Sequence, residues 1–121
     1  MAISPAVWEA ELPFSYQAEK FAIARRRLML PHPNGEAASI VSAFHECSQA
    51  LHGLNEAKLD DQARGLLGLL TTLMDTSEVV DPQDRGPWTV KAAAFTVEQK
   101  FELARVIDEL AAWFGQGARK A

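Results

Sequence analysis

Cysteine is almost absent from this chain. Cys47 stands alone among 121 residues, so no internal disulfide supports the fold and no oxidising compartment is required. Long apolar runs are missing too. The longest, LLGLL at 66–70, is far below the ~20 residues of a membrane-spanning helix. No basic excess exists either: 12 Lys and Arg stand against 16 Asp and Glu, a net charge of -4 that argues against a nucleic-acid partner. The opening MAISPAVWEAELPF has no positive start and no apolar core, and it carries Glu9 and Glu11, so it does not read as a signal peptide. The expectation is a cytoplasmic protein of bacterial type, with neither membrane nor nucleic acid as partner.

What is present suits one globular domain. Apolar residues make up 48% and charged residues 23%, enough for one real core and too apolar for disorder. The pattern predicts an all-α, single-domain four-helix bundle, mostly antiparallel, with helices over about 16–30, 35–52, 61–74 and 97–114. Ser15, Asn34 and Asp60 stand where caps belong, Gly53 and Gly115 where helices stop, and Thr96 with Gln99 forms a capping box. Pro31 ends the first helix. A long irregular connection is expected over 75–95, and a frayed tail over 115–121.

AFHECSQALH, residues 43–52, is the one stretch that resembles chemistry, with His45, Glu46, Cys47 and His52 within ten positions. Helical geometry takes it apart. Cys47 falls on the apolar stripe with Ile40, Phe44 and Leu51, while His45 and His52 point about 140° and 120° away from Ile40. The two histidines are ~10.5 Å apart along the axis, too far to share a metal whose ligand atoms each lie ~2 Å from it. Neither Glu-x-x-His nor His-Glu-x-x-His occurs. No metal site, cofactor or catalytic residue is expected.

Other features are weighed the same way. Arg25, Arg26 and Arg27 have a functional reading, binding of phosphate or an acidic partner, but they fan over ~200° of helix surface, which favours compensation of the helix dipole over one basic patch. Gly65 and Gly68 interrupt a leucine stripe at a cost of ~1 kcal/mol each, which predicts close approach of a neighbouring helix or, as the sharper alternative, of a ligand. DPQDRGPWTVKAAAF, residues 81–95, is the best functional candidate. Its turn markers shape the backbone, and Asp84, Arg85, Trp88 and Lys91 are a rigid aromatic flanked by opposite charges, the residue types of binding hot spots. The competing reading folds Trp88 back onto the bundle as a plug, with Asp81 and Asp84 closing turns. On the last helix Leu103, Ile107, Leu110 and Phe114 form the main stripe. Val106 and Trp113 lie about 100° to 120° off it, a second apolar strip that points either to a wide core or to contact with another chain, and that Trp8 could cover within the chain.

These readings favour a non-enzymatic interaction module that binds a protein partner, or self-associates as a homo-oligomer, through Asp84, Arg85, Trp88 and Lys91 or through Val106 and Trp113. The alternative is a small-ligand or metal binder using a pocket between helices. An enzyme ranks third, because its acid and base would have to come from the 81–91 segment and a histidine.

Overall fold

The structure, a computed structural model, describes residues 14–120. Trp8, Glu9 and Glu11 lie outside the described residues. The chain forms α1 (Ser15–Arg27), α2 (Glu36–Leu51), α3 (Asp61–Met74), α4 (Pro87–Ala93) and α5 (Val97–Lys120), with a 3-10 turn over Glu56–Lys58. Among the described residues the architecture is all-helical, with five α-helices where four were expected.

Asp60 caps α3 as predicted, its Oδ1 accepting from the Ala63 amide at 2.8 Å. The capping box of α5 forms in both directions. The Thr96 amide donates to Gln99 Oε1 at 2.8 Å, and the Gln99 amide donates to Thr96 Oγ1 at 3.1 Å. Gly53 takes φ +73° just past α2, the left-handed conformation that a stop requires.

Other boundaries differ from expectation. Helix α1 ends at Arg27, three residues early, because Pro31 pushes the backbone before it out of the helical region. The last turn tightens as Leu28 and Met29 donate to the carbonyls of Arg25 and Arg26. Phe14, not Ser15, holds the cap position of α1, and Gly35, not Asn34, that of α2. Gly115 does not stop α5, which runs on to Lys120 in place of a frayed tail. A glycine weakens a helix without forbidding it.

The connection expected to be irregular contains α4. Gly86 supplies its cap with φ +104°, and Pro87 occupies the first helical position, where a missing N–H costs nothing. Seven residues are too few for a helical period to show in sequence.

Helix α1 packs on both α2 and α5, α3 on α5, and α4 on α2. Phe21 stacks on Phe114 at 5.3 Å while Arg25, one turn later, pairs with Asp108 at 3.5 Å, so α1 and α5 run antiparallel. Phe21, Phe44, Leu70, Leu103, Ile107, Leu110 and Phe114 are fully buried and form one core. Cys47 belongs to it, as its helical position predicts.

Gly65 and Gly68 correct one expectation. A Cβ on either would meet nothing within 4 Å, so among the described residues no helix approaches them and they lie on an exposed face of α3.

Candidate functional site

The 81–91 segment is built around one carboxylate. Asp81 Oδ1 accepts from the Arg85 amide at 2.9 Å and Oδ2 from the Gly86 amide at 2.8 Å, while its carbonyl accepts from the Asp84 amide at 3.2 Å. This turn holds Asp84 at φ +54°, a conformation that Asp tolerates better than most residues. Asp81 is thereby committed to closing the turn and aiming α4. Asp84 and Arg85 are exposed at the tip, and neither has an ion-pair partner among the described residues.

Trp88, on the first turn of α4, is half-buried. Its Nε1 donates to the carbonyl of Met74 at 3.2 Å, and its ring meets Phe44 at 5.8 Å and His45 at 4.9 Å, both edge-on. It therefore ties α4 to α2 and to the end of α3, in line with the plug reading. Lys91, also half-buried, contributes to holding the Asp75 carboxyl below its ordinary range, an effect led by the Ser77 hydroxyl.

A shallow cleft of about 350 Å³ lies between α2 and α4, lined by Val41, His45, Thr76, Pro87, Trp88 and Thr89. The structure brings His45 to this cleft and leaves His52 exposed at the end of α2. Cys47 is enclosed, and burial pushes its thiol up to about 12, which removes it as a nucleophile. Among the described residues no three His, Cys, Asp or Glu side chains lie close enough to hold a metal ion.

The strip expected on the last helix is not a free surface. Val106 is fully buried, because the core around α5 is wide enough to take residues on both sides of the main stripe. Trp113 is half-buried. Its Nε1 donates to Asp60 Oδ2 at 3.1 Å, and its ring packs against Phe14 at 5.5 Å and Phe114 at 4.9 Å. One carboxylate thus serves both the N-terminal amides of α3 and the indole of α5. The Ala63 amide first, and the indole with them, hold the Asp60 carboxyl below its ordinary range.

The exposed apolar side chains are elsewhere, and sequence reasoning missed them. Phe101 is 73% exposed, Val97 60%, Met29 57% and Leu30 83%. Val97, Phe101 and Ala104 fall within about 60° of one another on α5. Met29 reaches the same face, lining a groove with Leu28, Ala104, Arg105 and Asp108. The signal was present as a Val97, Phe101, Ala104 series at helical spacing, opposite the main stripe. Arg105 borders this face, paired with Glu102 and Glu109, both at 2.7 Å. Family models, curated proteins and solved structures contain no match to this chain.

Proposed function

We propose that this protein is a non-enzymatic interaction module that receives a short amphipathic helix of a partner protein on the face formed by Met29, Val97, Phe101 and Ala104. The observation that carries this is the exposure of Phe101, 73%, on a helix whose opposite face is fully packed. An aromatic left open beside other apolar side chains marks a contact surface. The area suggests the kind of occupant. Three large side chains at this exposure, with Ala104 beside them, offer on the order of a few hundred Å², below the ~800 Å² per partner of a stable interface. A single helix laid along α5 uses such a surface through anchors one turn apart.

The test places a photo-crosslinking amino acid at position 101 in cells, with Thr72 on the open side of α3 as the control position. The segment captured at 101 is then synthesised and its affinity measured for wild type and Phe101→Glu. Capture of a helical segment that the variant binds at least about tenfold more weakly supports the proposal. Equal binding by the variant contradicts it, as does equal capture at both positions. Capture of a second copy of this chain contradicts the choice of occupant.

The cleft between α2 and α4 favours a second reading, a small apolar ligand held against Trp88 and His45. Tryptophan fluorescence that saturates with ligand in wild type, and not in Trp88→Phe, would favour it over the first.

A further inference from the structure

The arginine triplet does not fan out as helical spacing alone predicts. Arg25 turns to Asp108 at 3.5 Å, on the α5 side. Arg26 and Arg27 line one cleft of about 200 Å³ where the end of α1 faces the flank of α2. Asn34, Ser39 and Ser42 line it from the other side, and Met29 and Pro33 contribute apolar walls. Among the described residues no carboxylate lines this cleft, although the chain as a whole is acidic. Neither Arg26 nor Arg27 has an ion-pair partner among the described residues, whereas Lys20, Arg25, Lys100 and Arg105 all do. Of the hydroxyls, Ser39 is engaged by His32 Nδ1 at 2.9 Å, and the Ser42 hydroxyl has no hydrogen-bond partner among the described residues. Ala38 and Ser39, on the first turn of α2, are part of the lining.

We propose that this cleft binds the phosphate group of a small phosphate monoester. Two adjacent guanidinium groups repel each other, and a dianion relieves that repulsion where a carboxylate would neutralise only one. The planar fork of arginine matches phosphate oxygens two at a time, and the Ser42 hydroxyl and Asn34 amide can donate to those that remain. The volume sets the size of the ligand. About 200 Å³ lies below the usual range for drug-sized molecules, so a phosphate with a short organic group against Met29 and Pro33 fits. This site shares Met29 with the Phe101 face but differs from it in chemistry, and its arginines take no part in that face, so either can fail without the other.

The test is titration of the isotope-labelled full chain, followed by amide chemical shifts, with inorganic phosphate and phenyl phosphate. Acetate and benzoate at matched ionic strength are the monoanion controls, and a short single-stranded RNA is the polymer control. Both phosphates should bind saturably at about 1 mM or tighter, with shifts confined to residues 26–42. Arg26→Ala/Arg27→Ala should weaken binding at least about tenfold, Arg26→Lys/Arg27→Lys should weaken it less, and Arg25→Ala should leave it unchanged. All variants are checked for native circular dichroism, and the lysine pair keeps the test valid if the alanine pair unfolds. Binding of acetate as tight as phosphate overturns the proposal, as does a non-saturating response. Retention by the arginine-pair variants, or RNA binding tighter than phenyl phosphate with shifts spread over other faces, overturns it as well.

Discussion

Trp113 and Trp88 hold opposite ends of the same helix. The Trp113 indole donates to Asp60, the N-cap of α3, at 3.1 Å, and the Trp88 indole donates to the carbonyl of Met74, its last residue, at 3.2 Å. Helix α3 packs chiefly on α5 and leaves one face open, so these two bonds fix its ends where packing does not. Both tryptophans look like docking residues in the sequence. In the fold each spends its polar atom inside the molecule.

Trp88→Phe keeps most of the ring and removes one hydrogen bond to a helix-end carbonyl. The expected loss is about 1 kcal/mol, seen as a fall of roughly 5 °C in Tm by thermal denaturation. Trp113→Phe should also lower Tm. The ends of α3 are ~20 Å apart, so the two losses should add in the double variant. A double variant no worse than the singles would contradict independent clamping.

Gly65→Ala and Gly68→Ala should each stabilise the protein, by up to about 1 kcal/mol, because the new methyl meets nothing and the helix gains propensity. Gly86→Ala should destabilise it, since φ there is +104°. Denaturant midpoints of the three variants check both signs at once.

What was legible in the sequence follows from range. Capping at Asp60 and Thr96, and the stop at Gly53, depend on residues within four positions, and they stand as read. The stripes of α2, α3 and α5 identified the core, including Cys47. For Val106 the off-stripe angle left a wide core and an outside contact both open, and its burial fits the wide core. The α4 helix was missed because Gly86-Pro87 reads equally as a turn. The sorting of the arginines depends on Asp108, more than eighty residues away in the chain.

Cys47 should resist alkylation. Burial holds its thiol at about 12, so at pH 8 the native protein carries almost no thiolate and the sulfur is also sterically closed off. Iodoacetamide should label it only after denaturant unfolds the chain, as read by mass. Rapid labelling of the native protein would contradict the packing of α2.

Asp60 should make stability depend on acid. Its folded-state pKa is lowered, first by the Ala63 amide and also by the Trp113 indole. A carboxyl lowered in this way contributes stability that is fully present above its unfolded value. That contribution is lost as pH falls through the lowered folded value. The Tm gap between wild type and Asp60→Ala should be widest near neutral pH and shrink below about pH 4. A gap independent of pH would mean that the charge on Asp60 contributes nothing.

The most direct measurement is an amide shift map of the labelled protein with the segment captured at position 101. The account predicts perturbations centred on Met29, Val97, Phe101 and Ala104, with residues 76–91 unmoved. Shifts centred on Trp88 and His45, with α5 silent, would contradict it and place the docking surface at the α2–α4 cleft.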